Sequence, residues 1–512
     1  MGPFQRILKN LGAMFTGRAI SLIQQFIIPP IFIYRYSVAS FGEWIALSSA
    51  IAALYTLSFG VQTYVNQDLA MRFQRGDTAS YHTRQSTALR ILLGIVLVAA
   101  VGCLCFFFIP FDTILRLHLS RRAAQLTLYL LSLQILLVIV NGYLSGIFLS
   151  VQLAHRGAHW TNFQQLGQAL TLLVGVLLHA SFPVLAGLQA LALVTSAICL
   201  LFDLKRTAPQ VFPSLRFWDR TAVKDIVKGS GYFALIEWST FLTFSAPLLL
   251  MQRFVGPVAV AAFGLMRIIF SACRQLLSMF TQSMSSEITN IFAREDWPAL
   301  TRLYDVSERF VFFLITVANL GVLMLSPVLI TLWVHKKSAA GQLHHVSDLF
   351  VLTPYVLSAA ISMVISLKEH KYQFQFSTNT HAELAKIMFF SYLAMTVISF
   401  GTIRWFGVTG FLWTWLATEL LQMVRLVRLN ERLFAHVAKL DTIFITRLTS
   451  FSILALFCAY AALQRTSQLN LIAQAAIAAL AALLVAAISW QLFRMKDVST
   501  TAFAKITKRF SA

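Results

Sequence analysis

Apolar residues in this chain gather into about fourteen runs, most of them long enough to cross the hydrocarbon core of a bilayer. Ile91–Pro110, Leu126–Ser150 and Leu471–Trp490 are examples. Of 512 residues, 58% are hydrophobic and 12% are charged, whereas a soluble domain carries about a quarter charged residues. The expected spans are 11–33, 43–66, 89–110, 126–150, 163–179, 184–202, 231–252, 258–282, 309–332, 347–367, 384–403, 408–427, 443–463 and 470–493. The fold class that follows is an all-α integral membrane protein with about 14 transmembrane helices.

The net charge of +21 does not point to nucleic acid, because the basic residues sit in short loops between apolar runs. Lys and Arg in such loops set orientation, and their excess on alternate loops places both termini in the cytoplasm. Arg116, Arg121 and Arg122 are the exception and face outward in this scheme. The five cysteines all lie within apolar segments, with no metal or redox spacing, so they read as buried packing. No metal site is expected. Arg18, Gln24 and Gln25 interrupt the first apolar run, and no small-residue cleavage site follows it, so it is expected to be a retained helix.

One unit of sequence occurs twice. Tyr34-Arg35-Tyr36, Phe41-Gly42, Asp68 and Phe73-Gln74-Arg75-Gly76-Asp77 recur as Gln252-Arg253-Phe254, Phe263-Gly264, Glu287 and Phe292-Ala293-Arg294-Glu295-Asp296. Each copy opens a block of six apolar segments. An even number per block makes the copies parallel repeats about an axis along the membrane normal, a plan found in transporters. The expected organisation is an N-terminal six-helix lobe over 1–203 and a basic cytoplasmic linker over 204–230. A second six-helix lobe follows over 231–430, then two additional helices over 431–493 and a basic tail over 494–512. Around 220–228 the linker reads as an amphipathic surface helix.

A charge at the centre of a transmembrane helix costs about 2.5–3.5 kcal/mol on insertion scales, so such residues usually face a cavity or a partner. Arg18 lies in the first span, and Arg267 and Arg274 share one face of the eighth with Ser271 and Ser278. The functional reading is a cationic, water-filled cavity, since Arg offers a fixed fork of donors that grips phosphate oxygens. Gln25 joins this candidate binding set, and the second span adds Ser48, Tyr55, Gln62 and Asn66, read as one helical face. Packing by pairing with intramembrane acids is the alternative. Glu237 falls opposite Arg18 in the repeat register, which permits either an inter-lobe salt bridge or binding of a proton or sodium ion. Asp68 and Glu287 are register equivalents at cytoplasmic helix ends and are candidate gate residues with Arg72 or Arg294. Glu419 is a weaker candidate of the same kind. No phosphate-cradling glycine loop or nucleophile elbow is present, so the chain is not read as an enzyme and no cofactor is expected.

Asn10-Leu11-Gly12, Phe41-Gly42-Glu43-Trp44, Leu57-Ser58-Phe59-Gly60-Val61 and Asn66, with Phe263-Gly264 in the second half, give the chain a family likeness. It resembles Wzx-type polysaccharide flippases of the multidrug/oligosaccharidyl-lipid/polysaccharide exporter (MOP) superfamily. That resemblance implies two six-helix lobes in a V shape with alternating access across the bacterial inner membrane. It implies an undecaprenyl-pyrophosphate-linked oligosaccharide (O-antigen, capsule or exopolysaccharide unit) as substrate, with membrane lipids around it. The implied partners are polysaccharide polymerase and export machinery, with H+ or Na+ as counter-ion. It also suggests a groove for the polyprenyl tail at the last two helices. Two other branches stay open: a cation-coupled multidrug exporter, in which acids rather than arginines should dominate, and a lipid II flippase. A glycan polymerase or ligase is disfavoured, because no large outward loop is present to hold catalytic residues.

Overall fold

The computed structural model describes residues 3–58, 60–334, 349–378, 380, 382–434, 442–466 and 469–492. Among them secondary structure is helical throughout, with no strand. The expected tail over 494–512 lies outside the described residues. The chain packs as two compact units, one taking in Met1–Ala261 and the other beginning at Ala262. This division follows which helices touch, whereas the expected lobes follow the internal duplication.

The first unit holds α1 (Pro3–Arg35), α2 (Val38–Ile51), α3 (Val61–Gln74), α4 (Thr78–Gly102), α5 (Phe111–Leu115), α6 (Arg121–Gly146), α7 (Ala154–Leu177), α8 (Phe182–Thr207), α9 (Arg220–Phe244) and α10 (Ala246–Phe254). α11 (Pro257–Ser283) starts at its edge and continues into the second unit. There follow α12 (Ser285–Ala293), α13 (Trp297–Val334), α14 (Leu352–Ser377), α15 (Ala382–Leu433), α16 (Thr442–Thr466) and α17 (Leu471–Leu492). Among the described residues ten stretches are long and apolar enough to cross a membrane. The remaining expected spans fall on α7, α14 and α16, and α15 carries two of them, separated by Gly407 with its left-handed φ of 59°. The expected spans 163–179 and 184–202 leave only four residues between them, and the tight turn between α7 and α8 is made by His179, at φ 55°, with the Ala180 N–H returning to Gly175 O at 3.0 Å.

The second expected span, 43–66, is not one helix. After α2 the chain tightens into a 3-10 turn over Ala52–Ser58, and Gly60 adopts φ 67° before α3 begins. Ser48 and Tyr55 therefore do not continue the helical face that carries Gln62 and Asn66. Those two pack elsewhere: a Cβ on Gly142 would meet the Gln62 amide at 2.3 Å, and one on Gly146 would meet Asn66 Nδ2 at 1.8 Å. Small residues four apart let polar side chains of α3 reach the backbone of α6, a common device between membrane helices. Beneath this contact lies an apolar core built on Val65, Leu69, Tyr81, Leu136, Tyr143 and Phe148.

The connection after α8 is fastened along α4. Gln85 Nε2 donates to Val211 O at 2.7 Å, Ser86 meets Ser214 at 2.9 Å, and Arg90 donates to Leu215 O. The Asp219 N–H donates to Thr87 Oγ1 at 3.1 Å, and Arg84 pairs with Asp225 at 2.6 Å. Asp219 caps α9, accepting from the Thr221 N–H at 2.8 Å. Hydrogen bonds from Thr221 hold its carboxyl below the usual carboxylate range.

Gly42 of the duplicated Phe-Gly pair has a packing reason. A Cβ there would stand 1.9 Å from the Pro257 carbonyl oxygen, a backbone atom that cannot rotate away. Gly42→Ala should destabilise the protein by about 1–3 kcal/mol, the range for overpacking. A lowered melting temperature in detergent is the readout. Gly12→Ala, inside α1 with nothing within 4 Å, should not lower it.

Candidate functional site

In the first unit the break between α2 and α3 receives a carboxylate. Ser58 Oγ donates to Glu237 Oε2 at 2.6 Å, and the backbone of Gly60 is a further hydrogen-bonding group for the same carboxylate. An interrupted helix leaves backbone N–H groups without intrahelical partners. The Gly60 cap offers no side chain of its own. A negative charge from α9 therefore meets the positive end of α3. The ion pairs among the described residues do not include an Arg18–Glu237 bridge; Glu237 is engaged at the break.

Arg18 is half-buried on α1, which packs against α7, where Asn162 Nδ2 donates to Ala13 O at 2.8 Å. Gln25 donates to Ser21 Oγ one turn back, at 3.1 Å. Asn66 is buried to 8% exposure against Gly146, a packing position. Asp68 lies in a charge cluster at the end of α3, bonded to Arg72 at 3.0 Å and to Arg84 at 3.3 Å. Arg84 also reaches Asp225, so α3, α4 and α9 are tied at one point. Glu287 stands exposed in the first turn of α12.

In the second unit α11 is strongly two-faced. Phe263, Met266, Phe270, Cys273 and Leu277 are buried, while Arg267, Ser271, Arg274 and Ser278 are only partly covered. Both serine hydroxyls bond back to their own helix, Ser271 to Ile268 O at 3.0 Å and Ser278 to Gln275 O at 2.9 Å. Arg274 donates to Glu369 Oε1 of α14 at 3.2 Å, with side-chain exposures of 27% and 11%.

The same turn of α14 carries two more charges, Lys368 and Lys371. Lys368 Nζ donates to Glu419 of α15, to Tyr392 Oη at 2.7 Å and to Gln422 Oε1 at 2.7 Å. The second Glu419 oxygen accepts from Tyr392 Oη at 2.7 Å and Trp415 Nε1 at 2.9 Å. Lys371 donates to Glu308 of α13 and to Tyr304 Oη at 2.7 Å. These two pairs are sealed from solvent, with no side chain above 6% exposed. Glu419 is thus one arm of a closed ion pair.

Lys368, Glu369, Lys371 and Glu308 were not singled out as candidates in the sequence. The tenth span is expected to end at 367, which places the first three beyond the apolar run; α14 continues to Ser377 and keeps them inside the bundle. The signal for them is a run of four polar residues, 368–371, three of them charged, with Glu419 in reach on a neighbouring apolar helix. Separately, α13, α16 and α17 line an open apolar cavity of about 270 Å³, bounded by Leu320, Met324, Phe451, Cys458 and Ile488 among others. No group of histidine, cysteine and acidic residues among the described residues is arranged to hold a metal.

No family model matches the sequence, and no curated protein matches it. Solved structures do. An inward-facing multidrug resistance MATE family transporter of the MOP superfamily superposes with a TM-score of 0.68 at 12% identity, covering 82% of this chain and 96% of that one. The lipid II flippase MurJ in an inward closed conformation gives 0.68 at 12%, over 95% and 99%. A MOP superfamily transporter from Pyrococcus furiosus, whose binding pocket is described as of reverse polarity, gives 0.56 at 11%, over 86% and 97%. The chain has the fold of these transporters.

Removing one member of a sealed pair strands its partner in low dielectric, at about 3–5 kcal/mol. Lys368→Ala should therefore lower thermal stability sharply, because Glu419 has 0% exposure and loses its cation. The double variant Lys368→Met/Glu419→Leu should recover most of the loss, and melting of the purified protein in detergent measures both.

Proposed function

We propose that this chain is a flippase that carries a pyrophosphate-linked lipid oligosaccharide from the cytoplasmic to the periplasmic leaflet of a bacterial inner membrane. The observation that carries the reading is the stripe of Arg267 and Arg274 on an otherwise apolar membrane helix, with Arg274 left 27% exposed. Two guanidinium groups seven residues apart stand about 10 Å apart along the axis at 1.5 Å per residue. That spacing suits an extended anionic headgroup better than a single small cation. Arg grips phosphate oxygens through paired N–H donors, and such charge-assisted bonds are about twice as strong as neutral ones.

The chemistry of the cargo demands this division of labour. A pyrophosphate and its sugars cannot enter hydrocarbon, whereas a polyprenyl tail can stay in it. The arginine stripe serves the head, and the apolar cavity beside α16 and α17 is of the right character for the tail. An inside-negative potential favours outward movement of an anion by about 2.3 kcal/mol per charge per 100 mV. Glu237, set at the helix break, is a site where H+ or Na+ counter-movement would add to that. Glu237 also supports the second reading, a cation-coupled exporter of amphipathic drugs, while lipid II remains a substrate of the same headgroup class. Polysaccharide polymerase and export machinery are the partners this reading implies. Asp68, tied to Arg72 and Arg84, is a proposed gate residue of the first unit and Glu287 its repeat equivalent in the second; Arg18 and Gln25 in the first unit and Ser271 in the second are further proposed substrate contacts, whereas Asn66 is taken up by packing.

The test is complementation of a bacterial strain lacking its own oligosaccharide flippase, at matched expression. Wild type should restore surface glycan. Arg267→Ala and Arg274→Ala should each lower export by about tenfold or more, the cost of one lost phosphate contact at about 1.5–3 kcal/mol. Full export by both variants, or altered drug sensitivity in Glu237→Gln with export intact, would replace this reading with the drug-exporter one.

A further inference from the structure

Three ion pairs join α14 to its neighbours, and they are not alike. Lys368–Glu419 and Lys371–Glu308 are sealed, and Glu419 uses both oxygens, one on Lys368 and the other on Tyr392 and Trp415. Arg274–Glu369 is the open pair. Its carboxylate is 91% buried by residue, yet only Oε1 is bonded; Oε2 has no hydrogen-bond partner. A buried carboxylate oxygen without a donor is costly and unusual. The charged groups around Glu369 are Arg274 from α11, Lys368 on its own helix and Glu419 from α15. Lys368 is already committed to Glu419, so Arg274 is the cation left to neutralise Glu369.

Arg274 is also the arginine assigned to the substrate's phosphate, and the following step rests on that assignment. We infer that Glu369 is an internal stand-in for the phosphate group: it occupies Arg274 while no substrate is bound and gives way when a phosphate headgroup arrives. A monodentate carboxylate at 3.2 Å with one unmatched oxygen is a poor competitor for a pyrophosphate that presents several acceptors to the same fork. Its negative charge also offsets the repulsion between Arg274 and Arg267 along the same face. The two sealed pairs hold α14 in place while the third exchanges. Glu369 is therefore a specificity-determining residue: an anion must outbid it, and a neutral or cationic amphiphile cannot.

The experiment uses full-length protein in detergent micelles, with farnesyl pyrophosphate as the probe and isothermal titration calorimetry as the readout. Wild type should bind, and Arg274→Ala should bind about tenfold more weakly. Glu369→Gln should bind about tenfold more tightly, because an interfacial charge competitor of this kind is removed. The double variant Arg274→Ala/Glu369→Gln should match Arg274→Ala alone, since Glu369 acts only through that arginine. Should Glu369→Gln not yield folded protein, Glu369→Asp, which withdraws the carboxylate while keeping its charge, should tighten binding in the same direction by a smaller factor. Unchanged or weaker binding by the Glu369 variants, with wild type binding and Arg274→Ala impaired, overturns the stand-in and makes Glu369 a fixed support. Absence of binding by wild type overturns the pyrophosphate reading itself.

Discussion

A peptide backbone inside hydrocarbon has no water to bond, and the architecture of this protein follows from that one deficit. Helices close their own hydrogen bonds, so the membrane segments are helical. Where a helix stops within the bundle, the exposed backbone needs another partner. The break between α2 and α3 has one in Glu237, brought by a different helix and steadied by Ser58. The turn into α5 and α6 is met in the same way: Glu43 accepts from the His118 N–H at 2.6 Å just after Arg116 at φ 51°. Both carboxylates are charges that the membrane penalises, and both are matched to donors that the backbone leaves over.

The second unit treats charge differently. Along α14 every charged side chain from 368 to 371 is paired with one from another helix: α11, α13 and α15 each contribute one partner. Such pairs add little net stability over apolar packing of the same volume, but they are severe against misregister, because a helix that slips by one residue strands several charges at once. Beside Lys371–Glu308 the aromatic rings of Tyr304, Phe374 and Phe434 pack with centroids 5.0–5.9 Å apart, which helps to exclude water from that salt bridge.

Much of the fold was legible in the sequence because hydrophobic length is a blunt and reliable signal. Within the described residues all fourteen expected spans fall on helices, and the tight turn at His179 was visible from Pro183 and the short gap. The break at Gly60 was not legible, since Leu57-Ser58-Phe59-Gly60 is apolar enough to pass for continuous helix. That error joined Ser48 and Tyr55 to Gln62 and Asn66 on one face, and the latter two turned out to fill the grooves over Gly142 and Gly146. The arginines of α11 were legible by their cost in an apolar run. The partner of Arg274 was not: Glu369 is 95 residues away in sequence and just past the apolar edge of its span, where a carboxylate normally means headgroup layer.

The connection from α8 to α9 is the longest of the loops joining the expected spans in the first unit, and length usually means slack. Here its backbone is stitched to α4 at Val211, Leu215 and Asp219, and its onward helix to Arg84. A tether fastened along its course has almost no free contour left to pay out. Displacement of α9 is then delivered to α4, and through Arg84 and Asp68 to α3, in the manner of a strut rather than a hinge. The helix that brings Glu237 to the break is thereby geared to the helix that begins just beyond it.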